Sequence, residues 1–221
     1  MSTSTSHHSV RARLFSALLV GLFSMLASGT ARCGDVAPAL AAPQAYALSK
    51  VVRSLVYARD DMPADRTAKV TWSEPPTSTT NATAPVIAGI ALIRFAGVTN
   101  SYCRLVASAH GVEHAAFVEV PAEVNFDTCR KSGPLRRIDI NGDGVEDILF
   151  TVTLKSNRAS ILVQETMVFL GRGEVPGGYC YSSEASQQFA PDDLRSVTAA
   201  TAAAQRALVR RDKKRFACDR L

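Results

Sequence analysis

One short segment of this 221-residue chain carries residues whose types and spacing could bind a metal ion. Oxygen-bearing side chains fall at the first, third, fifth and ninth positions of a polar loop between two apolar runs: Asp139, Asn141, Asp143 and Asp147. Calcium is a hard cation that takes about six to eight oxygen ligands from carboxylates, amides and backbone carbonyls. Gly144 at the sixth position permits a sharp turn, and the carbonyl of Val145 would supply an oxygen at the seventh. We therefore predict a calcium site with Asp139, Asn141, Asp143, Val145 and Asp147 as ligands.

The loop is not an EF-hand, because its twelfth position is Phe150, where an EF-hand has a bidentate glutamate, and because strand-like sequence flanks it. It resembles the calcium loops of FG-GAP and VCBS repeats, which read D-x-D-x-D-G-x-x-D between two strands. The resemblance covers about twenty residues and implies the same ligand roles. Those families repeat the unit around a β-propeller, whereas here it occurs once, so a propeller is not expected. The alternative is an Asn-Gly, Asp-Gly hairpin turn that binds no ion.

We expect a structural role for the ion. Three carboxylates on one turn repel one another, and a bound cation offsets that repulsion. Extracellular calcium modules bind with dissociation constants on the order of 0.1 to 1 mM. Such an affinity fits a structural ion better than a calcium sensor.

A second segment has the residue types of a zinc site. His110, Glu113 and His114 fit the H-x-x-E-H pattern of inverted zinc peptidases, in which two histidines on one helical face hold the metal and glutamate is the general base. Gly111 and the apolar runs on either side favour a turn between strands instead. The segment supports an alternative function, a small exported zinc-dependent hydrolase. In the main interpretation we assign no catalytic residue and no cofactor other than calcium.

Residues 1–31 have the order of regions that defines a secretory signal peptide. Arg11 and Arg13 precede an apolar run, Leu14–Leu26, and small residues follow up to Ala31. The run is shorter than the about 20 residues that span a bilayer, and no later stretch is long and apolar enough to do so. We predict cleavage after Ala31, with cleavage after Ala41 as the alternative, and a periplasmic or secreted mature protein.

The cysteines also fit an oxidising compartment. The chain has five: Cys33, Cys103, Cys129, Cys180 and Cys218. The later of the two cuts would remove the first of them and leave an even set. Four cysteines allow three connectivities, of which the simplest joins Cys103 to Cys129 and Cys180 to Cys218.

The apolar pattern predicts a helix at each end of a β-rich chain. Apolar residues recur at helical spacing over Gln44–Tyr57, and Pro191 followed by two acids is typical of a helix start. Val70–Trp72 could begin a short strand, and residues 73–85, rich in Pro, Ser and Thr, predict a flexible loop. Six further runs rich in Val, Ile, Leu and Phe are separated by short turn-like segments: Val86–Phe95, Tyr102–Ala109, Ala116–Val120, Leu135–Ile140, Ile148–Leu154 and Ser160–Leu170. This spacing predicts an antiparallel meander or small sandwich, and hence an α+β fold tied by disulfides.

Residues 32–221 are expected to form one domain, in which residues 32–85 hold the first helix and the loop, and residues 86–221 hold the β-rich part. The formal net charge of +5 is mild and does not indicate a nucleic-acid partner. A basic cluster between Arg206 and Arg220 could meet an anionic surface, but we favour a solvated helix end whose cations complement the helix dipole. We expect an exported, calcium-stabilised, non-enzymatic binding or accessory module. Its partner would be an unidentified protein or envelope component.

Overall fold

The computed structural model describes residues 37–59, 65–79, 86–98, 101–121, 129–155, 161–172 and 178–220. All of them belong to the second of two compact units, which spans residues 34–221. The predicted signal peptide and Cys33 lie outside the described residues. The helices are α1 (Ala42–Tyr57), α2 (Ser183–Gln188) and α3 (Val197–Arg210), with 3₁₀ turns at Val112–His114 and Pro191–Leu194. The strands are β1 (Ala68–Trp72), β2 (Thr77–Ser78), β3 (Ile87–Phe95), β4 (Ser101–Ser108), β5 (Ala116–Phe117), β6 (Cys129–Ser132), β7 (Arg136–Ile138), β8 (Asp147–Lys155), β9 (Leu162–Gly171) and β10 (Tyr179–Tyr181).

The strands form one antiparallel sheet, which confirms the predicted α+β class. Its main path runs β1-β3-β4-β6-β8-β9-β10, while β2, β5 and β7 pair with β3, β4 and β8 respectively. Two long hairpins dominate, β3–β4 and β8–β9, each with eight paired positions. The junction between them is narrow, since β4 and β6 share the single pair Ser101 and Cys129.

Alternate residues of both hairpins meet in one central core. Side chains of β3 and β4, such as Ile90 and Leu105, pack in the same cluster as Phe150 of β8 and Phe169 of β9. The rings of Phe150 and Phe169 are stacked with centroids 5.7 Å apart. Because one face of each hairpin lines this core, the opposite face of each must be covered by another element.

The two terminal helices cover those outer faces. Leu48, Val52 and Val56 of α1 are fully buried in a cluster that also contains Ile93 and Val106 of β3 and β4. On the other hairpin, the buried face of α3 consists of small side chains: Ala200, Ala203, Ala204 and Ala207. They pack with buried residues of β8 and β9, namely Leu149, Val168 and Leu170. The predicted helix at each end of the β-rich chain is confirmed.

The C-terminal helix starts later than the sequence predicted. Pro191–Leu194 forms a separate 3₁₀ turn, and α3 begins at Val197. Ser196 is its N-cap, and its side chain accepts a hydrogen bond from Ala199 N at 3.0 Å. A serine cap satisfies a backbone donor at a helix start, which a proline does not do.

Two disulfides tie the fold together, with the predicted pairing. Cys103–Cys129 joins β4 to β6 at the narrow junction of the sheet, and Cys180–Cys218 joins the chain after α3 to β10. The Cα atoms of each pair are 5.6 Å apart. Within the part of the chain that the structure describes, no helix is long and apolar enough to cross a membrane.

Candidate metal centre

The predicted calcium loop is the turn of the β7–β8 hairpin, and it curls around the carboxylate of Asp139. Oδ1 of Asp139 accepts hydrogen bonds from Asn141 N and Asp143 N, at 3.1 and 3.2 Å, and Oδ2 accepts one from Gly144 N at 2.8 Å. Gly142 and Gly144 have φ of 65° and 83°, a region that favours glycine. The loop conformation thus depends on its first acid and its two glycines.

Asp147 fixes the end of the loop to the body of the protein. It is 1% exposed, and its two carboxylate oxygens accept hydrogen bonds from Ile140 N and Gly171 N, both at 2.8 Å. The pKa of Asp147 is raised from its ordinary value of 3.8 to about 7: burial is the main cause, the two backbone donors partly offset it, and the charges of Asp143 and Asp139 add to it. The surroundings of this carboxyl group therefore disfavour its ionised form.

The third position of the loop contacts the C-terminal tail. The side-chain oxygen of Asn141 accepts a hydrogen bond from Phe216 N at 2.7 Å. Next to it, a guanidinium nitrogen of Arg215 lies 4.0 Å from a carboxylate oxygen of Asp143. Two of the predicted ligands thus have partners in a segment more than seventy residues away, since Asn141 and Phe216 are 75 positions apart.

A tight reversal after α3 brings the tail to the loop. Asp212 and Lys213 have φ of 51° and 61°, a backbone region that residues other than glycine rarely adopt. Arg211 stabilises the reversal by donating to the carbonyls of Lys214 and Arg215, at 3.1 and 3.2 Å. It also pairs with Glu184 of α2. Arg211, a member of the basic cluster, therefore stabilises the fold and is more than a solvated cation at a helix end.

The donor set of the loop suits calcium by its chemistry, but the side chains do not converge on one point. Asp139 and Asp143 are exposed to solvent, and each side chain predicted to bind the ion offers an oxygen atom as ligand. Val145 is 44% exposed, and its backbone N–H donates to Asp143 Oδ1 at 3.0 Å. Among the described residues, no three His, Cys, Asp or Glu side chains form a group that could hold a metal ion. Calcium binding by this loop stays a prediction.

The histidine segment lies in a short turn at the surface. Val112–His114 is a 3₁₀ turn of three residues that follows Gly111, whose φ is 100°. The rings of His110 and His114 are 6.3 Å apart by centroid, and His114 Nε2 lies 4.0 Å from Glu113 Oε1. The H-x-x-E-H pattern of zinc peptidases requires a longer helix that presents both histidines on one face, and this segment does not provide it.

Two arginines beside the loop were not predicted as functional residues. Arg136 and Arg137 are the first residues of β7. Arg136 donates to the carbonyl of Leu194, which precedes α3. Arg137 donates to the carbonyl of Thr77 in β2, which belongs to the other half of the sheet. The sequence carried one signal for them, two adjacent cations inside an otherwise apolar run. Because a β-strand directs neighbouring side chains to opposite faces, at least one of the two cations must lie on a buried face. Both line a cavity that is described below.

Comparison of the chain with protein-family models, with curated proteins and with solved structures finds no match. The resemblance to FG-GAP and VCBS loops therefore depends on the loop residues alone. The function has to be argued from the geometry of this chain.

Proposed function

We propose that the protein is an exported, calcium-stabilised, non-enzymatic module that binds a protein or a component of the cell envelope. The observation that carries the calcium part is the placement of three carboxylates on one hairpin turn, where the charges of Asp139 and Asp143 act on Asp147. One of them, Asp147, is buried and has a pKa raised to about 7. A divalent cation would stabilise the ionised form of all three, because an opposite charge at short range favours the charged state.

When bound, calcium would supply a positive charge and a fixed centre for oxygen ligands. The side chains of Asp139, Asn141, Asp143 and Asp147 and the carbonyl of Val145 would hold it. Hydrogen bonds to the carboxylate of Asp139 already order the β7–β8 turn, and Asn141 links that turn to the tail. We therefore assign the ion a role in stability, with the turn and the tail as the parts that it stabilises.

The export part is supported by the two disulfides, which persist in oxidising compartments. Contacts near the N-terminus of the described chain favour cleavage after Ala31 over cleavage after Ala41. Leu40 N donates to the carbonyl of Pro76 at 2.8 Å, and Ser78 N donates to the carbonyl of Pro38 at 3.0 Å. Cleavage after Ala41 would remove residues that form these backbone hydrogen bonds.

The binding of calcium is tested by isothermal titration of the protein from Arg32 onward, expressed with its disulfides formed. We expect one site with a dissociation constant on the order of 0.1 to 1 mM for calcium and weaker binding of magnesium. Asp143→Ala should abolish the binding. Glu146→Ala is the matched control, because Glu146 is an exposed acid of the same loop that we do not assign as a ligand.

Unchanged calcium binding in Asp143→Ala would contradict the assignment, as would equal losses in both variants. Binding of zinc that is lost in His110→Ala would instead support the zinc-dependent hydrolase. Under that outcome the exported binding module would no longer be the preferred function.

A further inference from the structure

A cavity of about 230 Å³ opens between the two halves of the sheet, beside the start of α3. Its apolar wall includes Ala88 and Ile90 of β3 and Leu135, which precedes β7. Arg136 and Arg137 line it from β7. Small-molecule sites are concave and combine largely apolar walls with a few polar groups.

Arg137 is a cation with only neutral partners. Its Nη2 donates to the Thr77 carbonyl and hydroxyl and to the Val86 carbonyl, at 3.4, 3.2 and 3.3 Å, and its Nη1 lies 3.4 Å from the Tyr179 hydroxyl. Its Nε is buried and has no hydrogen-bond partner among the described residues. No carboxylate among the described residues forms an ion pair with it. A partly buried charge is costly without a counter-charge, so an anion bound beside Arg137 would be stabilised.

The surroundings of the cavity add to its positive character. Arg136 donates from Nε and Nη2 to the carbonyls of Leu194 and Arg195, at 3.1 and 3.2 Å, which are also neutral acceptors. Val197, the first residue of α3, lines the cavity and places the positive end of the helix dipole near it. One acid lines the cavity, Glu74, and its carboxylate accepts a hydrogen bond from the Leu135 backbone at 3.2 Å. Two arginines, the first residue of a helix and a single acid thus line the cavity.

We propose that this cavity binds a small organic anion, namely a carboxylate carried on a compact apolar group. The carboxylate would supply a counter-charge at Arg137 and Arg136. The apolar group would lie against Leu135 and Val197, which line the cavity and are only partly buried. The volume excludes larger ligands, because sites for drug-sized molecules measure about 300 to 1,000 Å³. This inference goes beyond the proposed function and does not depend on the calcium loop.

The test uses benzoate and benzamide, which have nearly the same shape and differ in charge. Each is titrated into the disulfide-bonded protein in calcium-containing buffer, and binding is followed through the backbone amide signals in NMR spectra. We expect benzoate to give saturable shifts at Gly89, Leu135 and Val197, which line the cavity. Because a hydrogen bond to a charged group is stronger than one to a neutral group, benzamide should bind about tenfold more weakly or worse.

Two variants locate the binding. Arg137→Gln should weaken benzoate binding about tenfold or more. Arg136→Gln, which leaves the contacts of Arg137 in place, should weaken it by a smaller factor and guards against misfolding of the first variant. Arg53→Gln is the matched control, because Arg53 is exposed on α1. The proposal is overturned if benzoate gives no saturable shifts, if benzamide binds equally well, or if Arg136→Gln behaves like Arg53→Gln.

Discussion

Phe216 is the buried aromatic side chain of the C-terminal tail. It is 3% exposed, its ring centroid lies 6.4 Å from that of Phe189, and the guanidinium of Arg211 lies 4.4 Å from the centroid. Its backbone N–H is the group that donates to Asn141. Phe216→Ala removes the ring and keeps the N–H, so the variant separates the packing of the tail from its hydrogen bond.

The expected loss of stability follows from the burial. Truncation of a core phenylalanine to alanine lowers the free energy of unfolding by about 3 to 5 kcal/mol. The disulfide Cys180–Cys218 still tethers the tail in the variant and limits how far the tail can move. We therefore expect a loss near the lower end, about 3 kcal/mol. For a domain of this size that corresponds to a decrease in melting temperature of roughly 10 °C.

The assay is urea unfolding, followed by far-UV circular dichroism with the disulfides intact. Phe216→Leu keeps most of the apolar volume and should lose less than about 1.5 kcal/mol. Tyr46→Ala is the surface control, because Tyr46 is 60% exposed and exposed substitutions change the free energy of unfolding by about 0.5 kcal/mol or less.

If Phe216→Ala loses no more free energy of unfolding than Tyr46→Ala, the packing of Phe216 against Phe189 and the buried face of α3 is refuted. The variant should also bind calcium several-fold more weakly, because a tail without the buried ring holds its backbone donor less firmly beside Asn141. An unchanged affinity would show that the tail does not organise the loop.

Three further predictions concern the disulfide, the contact of the loop with β9 and the pH dependence. Replacing Cys180 and Cys218 with alanine should lower the free energy of unfolding by about 4 kcal/mol in the chain-entropy model, because the bridge spans 38 positions; a loss below about 1 kcal/mol in urea unfolding would contradict this. Gly171→Ala should cost about 1 to 3 kcal/mol, because its new Cβ would lie 2.5 Å from the Glu146 carbonyl oxygen; wild-type stability in the same assay would exclude this close approach. Burial raises the pKa of Tyr179 above its ordinary value of 10, so the folded state keeps a proton that the unfolded state loses, and the free energy of unfolding should fall as pH rises above 10. Tyr179→Phe should reduce that fall, and an equal fall in both proteins would contradict the raised pKa.

The long elements could be predicted from the sequence because their apolar patterns are strong. Val86–Phe95 and Ile148–Leu154 correspond to β3 and β8 within one residue at each end. Among the short strands, β1, β5 and β7 overlap predicted runs, whereas β6 and β10 were not predicted and β2 lies in the segment predicted as a flexible loop. Cys129–Ser132 carries the exposed residues Arg130 and Lys131, and its strand conformation depends on pairing with β8. Pairing between distant segments leaves little trace in a local apolar pattern.

The candidate site was predictable in its residue types and not in its contacts. The acids and glycines of the loop are local, so their spacing could be interpreted directly. The donation from Gly171 to Asp147 and from Phe216 to Asn141 joins segments 24 and 75 positions apart. The cavity depends on the fold even more strongly, because Arg137 meets Thr77 only when the sheet halves come together.

The most direct measurement of the central claim is thermal unfolding of the protein from Arg32 onward, in EDTA and in about 10 mM calcium. With a dissociation constant near 0.1 mM, mass action predicts about 2.7 kcal/mol of stabilisation and an increase in melting temperature of roughly 5 to 10 °C. The increase should be lost in Asp143→Ala and kept in Glu146→Ala. An unchanged melting temperature in calcium, or an increase that Asp143→Ala retains, would contradict a structural calcium site in this loop.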